Sequence, residues 1–345
     1  MRDIRYMFIF RQKNIRTNFS LSVLLFFCLC LSGCERRELT YYREAEITIR
    51  ADWSRSGLEE AGMGATALFY PAAGGAPKVV LMGDRKQETV RLSPGIYHVI
   101  IFNRTFDDFS GIGFRGDTHA TLSAYARQVE LRDGTGETVI VGVPEAIASD
   151  AVENFEVTES MLGNYSPLNS RQAASGDAES PDPCLLCLSP RSLVKNVVVK
   201  INIKGLNNVR SAVGLLEGVS ESVLLKDGTP SGNLVTQQFE LGEIRFADGS
   251  LTEGSVTGNF PVFGFATEVP HRFVLKMLLV DGKTQLEQDF TVVPHELEEE
   301  GRITLYMEVD AETVPDVKPE GGSDSGFDVD VDDWGDEKDS DIEIK

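Results

Sequence analysis

Histidine, cysteine, tryptophan and positive charge are scarce in this 345-residue chain: 4 His, 5 Cys and 2 Trp, with Lys+Arg 33 against Asp+Glu 54. The histidines never form H-E-x-x-H, and no second Cys or His pair completes a four-ligand zinc set, so no metal or other cofactor is expected. No G-x-S-x-G elbow occurs either, and catalysis is not expected. A net charge of −21 with no basic stripe argues against nucleic acid as a partner. No run of 18 uninterrupted apolar residues is present, so a membrane-spanning helix is not expected.

What is present at the N-terminus is an export signal. Arg2, Arg5, Arg11, Lys13 and Arg16 precede an apolar run from Leu21 to Leu31, the layout of a secretory signal. The run ends in Leu31-Ser32-Gly33-Cys34, which matches a bacterial lipobox. Residues 1–33 are therefore expected to be the signal, cut between Gly33 and Cys34, with the Cys34 thiol accepting lipid. Several acyl chains, at about 0.8 kcal/mol per buried CH₂, make a durable anchor. Losing the five bases and Asp3 takes the net charge from −21 to −25, which keeps the protein off anionic headgroups away from the anchor.

The mature chain reads as all-β. After a tether over 34–44, Ile47, Ile49 and Ala51 alternate with Thr48, Arg50 and Asp52, the period of a half-buried strand. Further strands are expected at Ala65–Tyr70, Lys78–Met82, Glu88–Leu92, Ile96–Asn103, Arg127–Leu131 and Thr138–Val143, with a short helix near Leu58–Gly62. Residues 45–163 make one expected β-sandwich, and the Ser-, Asn- and Pro-rich stretch 164–192 a linker. Residues 193–310 make a second antiparallel sandwich. It opens on Val197, Val199, Ile201 and Ile203, and holds a hairpin around Asp281-Gly282-Lys283. Asn208–Leu216 has helical spacing and is expected to form a turn or two of helix. The tail, 311–345, holds 13 acids and three bases. In it Phe327, Val329 and Val331 alternate with aspartates before Trp334, the pattern of a strand that pairs with another sheet edge.

Three motifs look chemical and lack their context. Gly111-Ile-Gly-Phe-Arg-Gly116 spells a dinucleotide fingerprint, but no helix pattern follows it. Cys184-Leu-Leu-Cys187 stands alone; it is a candidate loop disulfide outside the cytoplasm, geometry permitting, and otherwise a pair of small apolar residues. Asp328–Asp336 resembles a calcium loop but has Asp333 where Gly is required and Asp339 where Glu is required.

The start Cys34-Glu-Arg-Arg-Glu-Leu39, Asp52-Trp53, Leu92-Ser-Pro-Gly-Ile-Tyr97, Lys204-Gly-Leu-Asn-Asn-Val209 and the ending Phe327–Trp334 resemble an uncharacterised family of Bacteroidota lipoproteins. Such proteins are similar to the fimbrillin class. That resemblance implies two transthyretin-like, Ig-like sandwiches in tandem. It also implies a structural, adhesive or pilus-anchoring role at the outer membrane, with fimbrial subunits as partners by β-strand addition. Phe327, Val329, Val331 and Trp334 are then the candidate exchange strand. The second expectation is a surface lipoprotein that binds a glycan or other soluble ligand through the loop aromatics Phe106, Phe109 and Phe114.

Overall fold

A computed structural model describes residues 41–58, 64–129, 139–164, 182–267, 269–299 and 302–319. Gly33, Cys34, most of the helix expected near Leu58–Gly62, and Phe327, Val329, Val331 and Trp334 lie outside the described residues.

Strands come in two groups. The first is β1 (Ala45–Ala51), β2 (Ala65–Pro71), β3 (Lys78–Met82), β4 (Gln87–Leu92), β5 (Gly95–Asn103), β6 (Ile112–Arg115), β7 (Ser123–Ala126), β8 (Ile140–Val141), β9 (Ala148–Val157), β10 (Leu185–Leu188) and β11 (Arg191–Ser192). The second is β12 (Lys195–Lys204), β13 (Val209–Ser220), β14 (Ser222–Leu224), β15 (Leu234–Leu241), β16 (Glu243–Phe246), β17 (Glu253–Val262), β18 (His271–Leu279), β19 (Gln285–Val292), β20 (His295–Glu299) and β21 (Arg302–Asp310). The protein is all-β.

Sheet β10-β1-β4 packs on sheet β11-β9-β5-β2-β3 to form the first sandwich. Its core holds Ile47, Ile49, Phe69, Val99 and Ile101, each fully buried. Sheets β16-β17-β12-β21-β20 and β19-β18-β13-β15-β8 form the second, around Val197, Ile201, Phe273, Leu275 and Leu305. Period-two alternation builds both: β1 buries Ala45, Ile47, Ile49 and Ala51, and β12 buries Val197, Val199, Ile201 and Ile203. Each of these buried Val and Ile side chains contributes about 1.5–3 kcal/mol. Most ladders are antiparallel, but β1–β10, β12–β21 and β8–β15 run parallel.

A third core joins the sandwiches. The outer face of β2 and β5 presents Leu68, Tyr70, Ile100 and Phe102, which a small sheet β14-β7-β6 covers. Burial on both faces explains the unbroken apolar run Val99-Ile-Ile-Phe102. The sharing is reciprocal: β14 pairs with β7 of the first group, while β8 pairs with β15 of the second. Val223, Leu225 and Phe263 complete this seam.

Three local expectations are corrected. Residues 209–216 are strand, not helix, paired on both sides with β15 and β18; the bulge at Val209/Ser211 inserts an extra residue and sets the buried Val209 and Ala212 three apart, and a second bulge follows at Glu217/Val219. Gly218 supplies the second bulge with φ +84°, and a Cβ there would lie 2.5 Å from His271. The end of the expected linker folds as β10 and β11, whose partners β1 and β9 belong to the first sandwich. Arg127–Val129 make only the bridge Gln128↔Val141; the strand lies earlier, at β7. The hairpin at Asp281 is as expected: its carboxylate accepts from the Lys283 and Thr284 amides at 3.0 and 2.9 Å.

Candidate functional site

The chain crosses from one sheet of the first sandwich to the other between β3 and β4, and among the described residues both are sheet edges. A groove of about 750 Å³ runs between them. Val80 and Val90 form its apolar floor, and Glu46, Glu88 and Arg91 stand at its mouth. On the outer face Val79 and Leu81 are 51% and 62% exposed. An edge strand with bare apolar side chains and unpaired backbone groups is a template for another strand. One edge group is already claimed, since the Lys78 ammonium donates to the Arg91 carbonyl. Arg91 also pairs with Glu46 at 3.6 Å, so the mouth is close to neutral. Sequence reasoning found β3 but not its openness; the signal was Lys78-Val-Val-Leu-Met82, apolar on both faces.

A second cleft, of about 780 Å³, lies beside the seam and is lined by Leu193, Val194, Phe263 and Phe265. Two of its polar groups, His271 and Arg272, are already held. His271 places one ring nitrogen 2.9 Å from the Ala266 carbonyl and the other 3.2 Å from that of Glu217. Arg272 is held by Glu217 and Asp289, each at 2.8 Å.

The motifs dissolve into structure. The Gly111 amide donates at 2.8 Å to the Glu145 carboxylate, which also takes the Ser110 amide at 2.7 Å and Arg104 at 3.2 Å. A protein carboxylate thus sits where a nucleotide phosphate would have to bind, and the motif continues as β6 rather than a helix. Cys184 and Cys187 are free thiols. Cys184 precedes β10 on its buried face and Cys187 is exposed on the opposite face, roughly 10 Å apart at strand rise, beyond disulfide reach. Burial, with Asp182 nearby, pushes the Cys184 thiol pKa up. Among the described residues no cluster of three or more His, Cys, Asp or Glu is placed to hold a metal.

The aromatics expected on loops are packed instead. Phe109 is 2% exposed, and Phe114 has Phe106 at 4.9 Å, Phe102 at 5.4 Å and Phe109 at 5.5 Å between ring centroids. All three pack on the third core, with Phe106 and Phe114 left partly exposed.

Against that geometry the similarities are informative. Residues 33–240 match the family described as a domain of unknown function, DUF5119. The chain belongs to the DUF5119 family. A relative from Bacteroides ovatus named as a fimbrium anchoring subunit, Fim4B, is 25% identical over 238 residues, 68% of this chain. The match spans 63% of that relative's length. A crystal structure of a protein described as an adhesin, also from Bacteroides ovatus, superposes with a TM-score of 0.54 at 19% identity, covering 83% of this DUF5119 chain and 99% of the other. That likeness establishes the shared all-β fold. Among the described residues no helix is long and apolar enough to cross a membrane.

Proposed function

We propose that this chain is a non-catalytic cell-envelope lipoprotein, held at the outer membrane by lipid on Cys34, that serves as a structural or anchoring subunit of a fimbrium. Residues 1–33 are its signal, 34–44 its tether, and the sandwiches of 45–163 and 193–310 its body, with 185–192 returned to the first sandwich. Fimbrial neighbours join by strand addition, and Phe327, Val329, Val331 and Trp334 form the segment it offers in exchange. The observation that carries this reading is the open β3–β4 edge, with Val79 and Leu81 bare beside an unfilled groove. The relative named as a fimbrium anchoring subunit supports the same class of role.

The test is to place a photo-crosslinking residue at Leu81 in the native host and isolate filaments. A covalent adduct with a fimbrial subunit, and filaments shed from cells lacking the chain, are expected. Recovery of the protein solely as an uncrosslinked monomer, with filaments still attached in its absence, would overturn the proposal.

A further inference from the structure

The end of the first sandwich nearest Cys34 in sequence carries uncovered apolar side chains. Tyr41 and Tyr42 are 72% and 53% exposed, and Ile96 is 46% exposed. The fold brings them to one end. β1 begins opposite the close of β4, with Ala45 across from Leu92, and β5 begins three residues later. The Ala72 amide donates to the Ile96 carbonyl at 2.8 Å, which adds the exposed Ala72 and Ala73 of the turn after β2. The tyrosines do not sit on loose chain: Asn164 accepts from the Tyr42 amide and donates to its carbonyl, both at 2.8 Å.

Tyrosine combines an apolar ring with a polar hydroxyl, and so concentrates where hydrocarbon meets headgroups. Seven residue steps separate Cys34 from Tyr41. Fully extended they span roughly 25 Å, so a lipid on Cys34 confines this end to the bilayer surface. We propose that Tyr41, Tyr42 and Ile96 form a lipid-contacting face that enters the headgroup region of the bilayer holding the Cys34 lipid. The inference rests on the lipidation proposed above. Glu44 and Glu156 share this end with Arg43, which makes a zwitterionic bilayer the matching surface.

The experiment uses full-length lipidated protein in phosphatidylcholine proteoliposomes, with and without brominated acyl chains. Tyr41→Trp is compared with Phe246→Trp on the second sandwich, the parent protein supplying the background. Tyr41→Trp emission is expected to shift to the blue and to be lost in brominated lipid, while Phe246→Trp emission changes in neither respect. Adding Tyr42→Ser and Ile96→Ser to Tyr41→Trp is expected to reduce the quenching. Protein that incorporates labelled palmitate and floats with the vesicles, yet leaves Tyr41→Trp emission unquenched, overturns this inference alone. Protein that neither labels nor floats overturns the lipidation as well.

Discussion

The two sandwich cores and the seam between them are built differently. Each sandwich closes two sheets over an apolar interior with few polar groups, as with Phe273 and Leu275 in the second. The seam relies on short strands exchanged between the groups, on an Arg115–Glu221 pair at 3.0 Å, and on a buried histidine. His119 is 7% exposed, its Nε2 has no partner, and Tyr70, His98, Glu153 and Lys226 surround it. The lesson is that the sandwiches hold themselves by dry packing alone, whereas the seam adds an ion pair and a buried histidine to its apolar core and is therefore open to chemical control.

The strongest way to break this contrast is from the dry side. Phe273→Ala should cost about 3–5 kcal/mol and lower the main thermal transition, since Phe273 is fully buried among Phe239 and Phe290. Leu225→Ala should cost about 2–4 kcal/mol at the seam. Its expected signature is faster amide exchange at β7 and β14 with β12 and β18 still protected. Uniform loss of protection would show that the seam is not a separable unit.

Acid should sharpen the comparison further. Burial, then the neighbouring His98, pushes the His119 pKa below its ordinary 6.5. A base with a lowered folded value stabilises fully above 6.5 and loses that contribution as pH falls from 6.5 toward the folded value. The seam should therefore loosen in mild acid, and His119→Phe should flatten that dependence in amide exchange. The exposed face of the second sandwich behaves otherwise. Lys200, then Asn202 and Tyr306, bind the Glu308 carboxylate and hold its pKa at about 2. Its contribution is fully present above 4.5 and is lost as pH falls from 4.5 toward about 2, so that sheet should respond only in stronger acid than the seam, whose loss begins at 6.5.

The smallest effect is expected at the ion pair. Arg115 and Glu221 are partly exposed, so Glu221→Gln should cost about 1 kcal/mol or less, with high salt producing most of the same change. A larger loss would place the seam's strength in charge rather than in Val223 and Leu225.

Much of this architecture was legible in the residues, for stated reasons. β1, β12 and the hairpin at Asp281 each bury a regular face or carry turn chemistry that few other structures satisfy, and β2 is a short apolar run buried on both faces. β13 misled because a bulge imitates helical spacing, and β9 escaped notice because Asp150, Glu153 and Glu156 interrupt its pattern. β14 is three residues long, too short for any period to register, whereas the two residues of β8 fall inside the strand expected at Thr138–Val143. The open groove was invisible for another reason. Whether Val79 faces a neighbour or solvent depends on which strand fails to arrive, a property of topology rather than of local spacing.

The parallel ladders at both ends of the chain have a mechanical consequence. β1 runs between antiparallel β4 and parallel β10, and β21 runs beside parallel β12 over the seven pairs from Asn196↔Thr304 to Asn202↔Asp310. Tension applied between the two termini loads these strands lengthwise, so many backbone bonds must slide and fail together rather than peel apart singly. A body stretched from both ends in this way resists as a clasp does, by shear.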